Sequence, residues 1–221
     1  MTTARAVIFD VGGVLARDIW EHLFDDLALA HGLDRDALHD AGRLLWETFA
    51  YVPETPANTW RDMERRYWAL FLLMFPPLRS KNVSVQSLIA LTDRYVVPIE
   101  GMRPIVEALH ARNTPLVICS NNNEIWWPRQ AEKLELGRFF PDSKLVLSSR
   151  VGAPKNSPRL EMFKAAVAAA GLPPGDCFFV DDREENVDRA RSYGIDAVQF
   201  RGATALRAEL QQRALLSLPS P

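Results

Sequence analysis

The segment of this sequence with the clearest chemical potential lies near its amino terminus. The apolar residues 6–9 lead directly into Asp10, and Gly12 and Gly13 follow two and three residues later. An apolar run of this kind predicts a buried parallel strand with the Asp10 side chain at its carboxyl end. Glycines at that point let the backbone turn sharply and bring peptide groups close to a ligand. Asp10 is therefore a candidate nucleophile or metal ligand, although an Asp after a strand also commonly caps a helix.

A second apolar run and a loop lysine indicate phosphate-binding chemistry. Residues 115–119 precede Ser120 and Asn121, whose hydroxyl and amide groups can hydrogen-bond phosphate oxygens or cap a helix. Lys155 lies in the loop 152–158, ahead of a predicted helix. A lone loop lysine is usually solvated, so neither signal is specific when it stands alone.

A third apolar run ends in two adjacent carboxylates. Residues 177–180 precede Asp181 and Asp182. Neighbouring acids repel each other unless a cation or hydrogen bonds relieve the repulsion, and the pair therefore suggests a divalent metal. Cysteine and histidine are too sparse and scattered for a zinc site, whereas carboxylates suit a hard ion such as Mg²⁺.

The carboxyl ends of parallel strands meet at one edge of a sheet, where open α/β folds bind their ligands. We therefore expect Asp10, Ser120, Lys155 and Asp182 to converge on one pocket. Four signals of matching chemistry at such positions make coincidence a poor explanation.

Two parts of the chain with different sequence patterns are expected to position these residues. Residues 17–98 contain no strand-like run that ends in a carboxylate, and they predict helices over 20–31, 35–51, 59–75 and 85–95. From residue 101 onward, helical and strand-like segments alternate, which predicts a parallel sheet. The predicted strands are 116–119, 144–148, 177–181 and 197–200, and the predicted helices are 104–112, 124–136, 159–170, 185–193 and 203–216.

The expected fold class is α/β, with a Rossmann-like, doubly wound parallel sheet as the core and an inserted helical cap domain. Residues 1–16 and 99–221 would form the core, and residues 17–98 would form the cap.

In the order and spacing of these motifs, the sequence resembles the haloacid dehalogenase superfamily, which is dominated by magnesium-dependent phosphohydrolases. The resemblance covers residues 6–15 and about 103–200. It implies that Asp10 is the nucleophile and that Lys155 stabilises both the nucleophile and the phosphate.

The same resemblance implies the remaining contacts. Ser120 and Asn121 match the phosphate-binding pair of the family, and Gly13 is a further candidate for substrate binding. The implied Mg²⁺ ligands are Asp10, Asp181, Asp182 and the backbone carbonyl of Gly12, with Asp182 the better match to the direct ligand. Trp126 follows the phosphate-binding strand closely enough that its indole could wall the substrate pocket, although packing explains most aromatic residues at helical spacing.

Two positions depart from the family pattern. Most phosphatases of the family carry a second Asp, the general acid/base, at the position of Gly12, so the proton for the leaving group needs another source. Asp18 is a candidate acid, and the start of the first cap helix is its competing interpretation. Asn156 stands where the family usually has Pro. A subgroup with Asp-x-Gly, which includes sugar-phosphate phosphatases, is the most similar to this chain.

The composition and charge of the chain limit the classes of partner that we expect it to bind. The 221 residues are 48% hydrophobic and carry a formal net charge of −2, which gives no electrostatic footprint for nucleic acid or an anionic membrane. The first strand begins so early that we expect no signal peptide. Cys119 and Cys177 fall inside predicted buried strands, which favours a reducing, cytoplasmic setting.

The sequence therefore predicts a magnesium-dependent phosphomonoester hydrolase that acts through an aspartyl-phosphate on a small phosphorylated metabolite such as a sugar phosphate. One alternative is a 2-haloacid dehalogenase, for which the resemblance implies an aromatic residue at position 12 and fewer carboxylates at 181 and 182. The other is a catalytically weak binding protein on the same fold. The sequence makes no prediction about the oligomeric state.

Overall fold

A five-stranded parallel sheet lies at the centre of the computed structural model, which describes residues 5–52 and 55–217. The strands are β1 (Ala6–Phe9), β2 (Leu116–Ser120), β3 (Leu145–Leu147), β4 (Cys177–Asp181) and β5 (Asp196–Gln199). Their order is β3-β2-β1-β4-β5, and every neighbouring pair is parallel. The predicted Rossmann-like α/β sheet is confirmed. Residues 1–4 and 218–221, at the ends of the predicted core, lie outside the described residues.

The strand order puts β1 at the point where the chain changes direction across the sheet. From β1 the chain passes to β2 and the edge strand β3, and then crosses to β4 on the other side of β1. In the register of both pairs, Phe9 stands opposite Ile118 of β2 and Val180 of β4. The carboxyl ends of β1, β2 and β4 therefore meet at a topological switch point, which is where open α/β sheets bind ligands.

Among the described residues, five helices follow β1 before the chain reaches residue 101, and we call them the cap helices. They are α1 (Ile19–His31), α2 (Arg35–Phe49), α3 (Trp60–Met74), α4 (Pro76–Ser80) and α5 (Val85–Tyr95). The side chains of Asp18, Asp34 and Thr59 accept hydrogen bonds from the first backbone N–H groups of α1, α2 and α3. Such caps satisfy donors that lack intrahelical partners, and they define where each helix begins.

Six further helices accompany the sheet: α6 (Met102–Ala111), α7 (Trp126–Lys133), α8 (Ser148–Val151), α9 (Glu161–Ala170), α10 (Glu184–Ser192) and α11 (Ala203–Gln212). Alternate residues of β1 bury on opposite faces of the sheet. Ala6 and Ile8 belong to the apolar cluster that includes residues of α9 and α10, whereas Val7 and Phe9 belong to the cluster that continues into the cap helices. One continuous apolar interior therefore joins the sheet to the cap helices.

Several helix limits differ from those predicted. α3 ends at Met74, close to the predicted end at residue 75, but Pro76 and Pro77 then begin the short helix α4, because proline is tolerated in the first turn of a helix. The helix predicted from residue 159 begins at Glu161, since Leu160 adopts a left-handed conformation with φ 60°. The last helix ends at Gln212, although its prediction extends to residue 216.

Both cysteines are free and buried, as expected for small residues within β2 and β4. None of the helices in the described part of the chain combines the length and apolar character that crossing a bilayer requires.

Gly42, in the middle of α2, lies directly against the ring of Phe24. A Cβ atom at Gly42 would lie 2.2 Å from two ring carbons of Phe24, so Ala cannot be accommodated without moving the ring. We expect Gly42→Ala to lower the free energy of unfolding, since overpacking costs about 1–3 kcal/mol and the better helix propensity of Ala returns only about 1 kcal/mol. Urea denaturation measures the change. Gly137→Ala is the control, because its Cβ would meet nothing within 4 Å. Equal stabilities of the two variants would contradict this packing.

Candidate active site

Asp10, Ser120, Lys155 and Asp182 line one cavity of about 430 Å³ at the carboxyl ends of β1, β2 and β4. Gly12, Asn121 and Asn186 also line it on this side. The opposite wall comes from the cap helices, which contribute Trp20, Phe24, His39, Asp40, Gly42, Arg43 and Trp46. The structure thus brings the sequence-predicted polar residues together beneath the cap helices.

Lys155 lies between two carboxylates and is almost completely buried. Its Nζ atom is 2.8 Å from Oδ2 of Asp10 and 2.5 Å from Oδ2 of Asp181, with 1% of the side chain exposed. Burial lowers the pKa of the Lys155 ammonium, but the charges of Asp10 and Asp181 outweigh it and raise the pKa above its usual range. Lys155 is therefore a fixed positive charge at neutral pH.

Asp10 is the buried carboxylate at the end of β1. Burial raises its pKa to about 6, and the charge of Asp181 adds to the rise, while Lys155 and a hydrogen bond from Ser120 oppose it. Its Oδ1 atom accepts a hydrogen bond from the Val11 N–H at 2.7 Å. Neighbouring groups thus orient the Asp10 carboxylate, but they balance its negative charge only in part.

Asp181 is fully buried, and protein donors contact both of its oxygens. Oδ2 accepts from Lys155, while Oδ1 accepts from the Arg183 N–H and from Nδ2 of Asn186, each at 2.9 Å. These contacts orient Asp181 toward Lys155. Asp182 is less enclosed and lines the cavity itself.

Gly13 makes room for Asp182. Its φ is +74°, and a Cβ atom built on it would lie 2.5 Å from Oδ2 of Asp182. Its N–H donates to the carbonyl oxygen of Ala16 at 2.8 Å. That N–H closes the turn after β1, and Gly13 is not among the residues that line the cavity, so its role in substrate binding stays a prediction.

The donor set fits a divalent cation. Asp10, Asp181 and Asp182 each offer a carboxylate oxygen, and these oxygens lie within 4.8 Å of one another. Three carboxylates against the single ammonium of Lys155 leave an excess of two negative charges in a buried region. Burial, and to a lesser extent the charge of Asp181, raise the pKa of Asp182. A hard cation with oxygen ligands would balance the excess negative charge.

Asn121 connects the end of β2 to the lysine loop. Its Oδ1 atom accepts a hydrogen bond from the Lys155 N–H at 2.8 Å. The predicted phosphate-binding residue therefore also fixes the backbone from which Lys155 extends, and it does so with Asn156 in place of the proline usual in the family.

Trp126 does not lie where the sequence interpretation puts it. It is 2% exposed and is not among the residues that line the cavity. Its ring packs edge-on against the ring of Trp20, with 4.9 Å between the ring centroids, and Trp20 lines the cavity instead. Trp126 belongs to the hydrophobic core because α7 places it beneath the cap helices.

Two contributions to the site are not evident from the sequence motifs. Asn186 lies on the first turns of α10, five residues after Asp181, where a helix that follows a strand returns over the strand end. His39 and Trp46 lie seven residues apart on one face of α2, and the amphipathic pattern alone does not distinguish that face from a solvated one.

Asp18 serves as the N-cap of α1 and also lines the cavity. Its Oδ1 atom accepts from the Trp20 N–H at 3.0 Å, and its Oδ2 atom lies 3.7 Å from the guanidinium of Arg183. Both interpretations that the sequence leaves open for Asp18 are thus compatible with its position.

Comparison with known proteins identifies relatives of this chain. A family model of haloacid dehalogenase-like hydrolases matches residues 4–194. Flavin mononucleotide hydrolase 1 of Arabidopsis thaliana, described as chloroplastic, is 29% identical over 122 residues, which are 55% of this chain and 48% of that protein. The match thus spans about half the length of this curated relative.

Solved structures of low sequence identity share the fold. A haloacid dehalogenase family enzyme of Bacteroides thetaiotaomicron, solved with magnesium and inorganic phosphate, has a TM-score of 0.61 and 22% identity, covering 90% of this chain and 94% of that one. An L-2-haloacid dehalogenase has a TM-score of 0.58 and 21% identity, covering 89% and 84%. At such identities the likeness shows the fold alone.

The packing of Gly13 against Asp182 predicts an effect on metal binding. Gly13→Ala would strain the left-handed backbone and displace the Asp182 carboxylate, so we expect Mg²⁺ affinity to fall about 10- to 100-fold. Isothermal titration calorimetry of the purified protein measures it without substrate. Gly171→Ala is the matched control, because Gly171 has a similar φ of +75° and its Cβ would meet nothing within 4 Å. Unchanged affinity in a folded Gly13→Ala protein would contradict the role of Asp182.

Proposed function

This chain belongs to the haloacid dehalogenase-like hydrolase family, and from that premise we propose that it is a magnesium-dependent phosphomonoester hydrolase. The proposed reaction passes through an aspartyl-phosphate on Asp10. The observation that carries the proposal is the buried Lys155 ammonium shared by Asp10 and Asp181, with Asp182 facing the same cavity. That arrangement concentrates nucleophile, positive charge and metal ligands at one point.

In the proposed first step, a carboxylate oxygen of Asp10 attacks the phosphorus, and the bond between the phosphorus and the leaving-group oxygen breaks. That oxygen takes a proton from water, from the substrate or from Asp18. Lys155 balances negative charge on Asp10 and on the transferring phosphoryl group. The Ser120 hydroxyl and the Asn121 amide donate to phosphate oxygens. In the second step a water molecule attacks the phosphorus, which releases phosphate and regenerates the Asp10 carboxylate.

We propose that Asp10, Asp182 and the Gly12 carbonyl hold the metal, with Asp181 supporting the site chiefly through Lys155. A bound Mg²⁺ would supply charge neutralisation for the phosphoryl oxygens. The hydrogen bonds that occupy both oxygens of Asp181 support this division of roles between the two acids.

The proposed substrate is a small phosphorylated metabolite. The cavity of about 430 Å³ has aromatic and polar side chains on its cap side, which suits a compact leaving group with a ring and polar substituents. A sugar phosphate fits that description. Flavin mononucleotide is a second candidate, because the Arabidopsis relative is named for its hydrolysis.

Two alternatives remain distinct from this proposal. A 2-haloacid dehalogenase would use Asp10 without a metal, and the excess of carboxylates around Asp182 argues against it. A weakly catalytic binding protein is favoured by the absence of a side-chain acid at Gly12. Phosphatase and dehalogenase assays, each with and without Mg²⁺, separate the three functions.

We further propose that residues 17–98 act as a cap domain and that the enzyme is cytoplasmic.

Replacement of the nucleophile tests the covalent mechanism. We expect Asp10→Asn to abolish nearly all phosphatase activity while preserving the fold, because an amide neither attacks phosphorus nor neutralises a metal. The control Asp188→Asn makes the same chemical change at an exposed ion pair with Arg191 on α10 and should retain activity. Substantial turnover by a folded Asp10→Asn protein would refute the assignment.

Gly12 predicts a bias among substrates. General acid catalysis contributes about 100- to 10,000-fold, so without an efficient acid, p-nitrophenyl phosphate and sugar 1-phosphates should turn over faster than simple alkyl phosphates. The measurement is kcat/KM across esters of graded leaving-group pKa. If Asp18 donates the proton, Asp18→Asn should steepen the dependence, and asparagine keeps the helix cap intact. A flat dependence in the wild type would show that an efficient acid is present, and an unchanged slope in the variant would eliminate Asp18.

A further inference from the structure

A buried ion pair joins the cap helices to the helix that follows the phosphate-binding strand. The guanidinium of Arg129, on α7, lies 2.5 Å from Oε2 of Glu64, on α3. The two side chains are only 9% and 2% exposed. Removing a charged pair from water is costly unless the partners meet in good geometry, and separating them while they stay buried is costlier still. The pair therefore favours one placement of α3 against α7.

A second cap helix binds the same face of α7. Asp93, on α5, accepts from Nη1 of Arg129 at 3.1 Å and from Nζ of Lys133 at 2.9 Å. One turn earlier on α7, the Trp126 ring packs against Trp20. Charged and aromatic contacts thus attach both α3 and α5, and with them the Trp20 wall of the cavity, to α7.

The loop that follows the phosphate-binding strand is also attached to α7. Oδ1 of Asn123 accepts from the N–H groups of Ile125 and Trp126, which caps the start of α7. Nδ2 of Asn122 donates to Oε1 of Gln130 at 2.8 Å. These residues directly follow Ser120 and Asn121 in the chain.

We propose that Arg129 is a positioning residue: through Glu64 it holds the cap helices in register over the phosphate site, and so determines how the leaving group is seated. Arg129 lies outside the cavity, so it acts through Trp20 and not by touching the substrate. The kinetic part of this inference rests on the proposed function.

An exposed ion pair between the same two helices provides the comparison. Arg61, on α3, lies 2.8 Å from Glu132, on α7, but these side chains are 54% and 62% exposed. Exposed pairs contribute little because water screens them and their long side chains lose entropy. If burial is what makes the Arg129 pair selective for one placement, the Arg61 pair should be dispensable.

The test compares two substrates of different reach in Arg129→Met, Arg129→Lys, Glu64→Gln and Arg61→Met. p-Nitrophenyl phosphate presents a ring to the cap wall, whereas acetyl phosphate presents only a small leaving group. We expect Arg129→Met to lower kcat/KM for p-nitrophenyl phosphate about 10- to 100-fold, mainly through KM, as a misplaced binding wall would. Acetyl phosphate should change by less than about threefold, as should both substrates in Arg61→Met.

The two remaining variants keep the inference testable if Arg129→Met does not fold. Arg129→Lys retains the charge and should recover part of the lost kcat/KM, and Glu64→Gln is nearly isosteric and should reproduce the selective loss. Equal losses for both substrates, or no loss in folded Arg129→Met or Glu64→Gln, would overturn the inference.

Hydrogen exchange supplies a readout that does not need activity. Amides of α3 and α5 should exchange faster in Glu64→Gln than in the wild type, while those of β1 and β4 stay protected. If the wild type hydrolyses neither of these phosphate compounds, the proposed function fails, and the exchange result still decides whether the ion pair holds the cap helices. Unchanged exchange in α3 and α5 would refute that attachment.

Discussion

The interaction on which the rest of this structure depends is the contact of one buried ammonium with two carboxylates. Lys155 lies within 2.8 Å of both Asp10 and Asp181, so it joins the ends of β1 and β4. A buried lysine without such partners would lose its proton, and buried carboxylates without it would repel each other. Two neighbouring asparagines keep these groups in place. Asn121 accepts a hydrogen bond from the backbone N–H of Lys155, and Asn186 donates one to Asp181.

The same contact leaves the site electrically incomplete, and that incompleteness is what makes it suited to chemistry. One ammonium cannot balance three carboxylates, and the pKa of Asp10 rises to about 6 because burial outweighs the attraction of Lys155. A divalent cation at this point would balance the remaining negative charge, lower the pKa of Asp10 and supply positive field for a phosphoryl group. The backbone is shaped for it, since Gly13 leaves space for Asp182 where any side chain would collide.

The cap helices complete the cavity with a different kind of surface. The sheet edge provides charge and hydrogen bonds, whereas α1 and α2 provide aromatic rings and the polar groups of His39 and Arg43. Gly42 fits this arrangement because only a residue without a side chain lets the ring of Phe24 lie against α2. The sheet edge and the cap helices therefore contribute different groups to one cavity, and α7 contacts the cap helices through Arg129 and the loop after β2 through Gln130.

The sequence by itself determined the parallel sheet, most of its elements and the polar residues at the strand ends, because apolar runs, caps and breakers act over a few neighbouring residues. It therefore predicted that Asp10, Ser120, Lys155 and Asp182 would meet. Only the tertiary structure decided that Trp126 is buried while Trp20 faces the cavity, that Gly13 accommodates Asp182, and that Glu64 pairs with Arg129. Each of these three features depends on contacts between segments that are distant in the sequence. Such contacts follow from how the helices pack, and they leave no periodic signal in the chain.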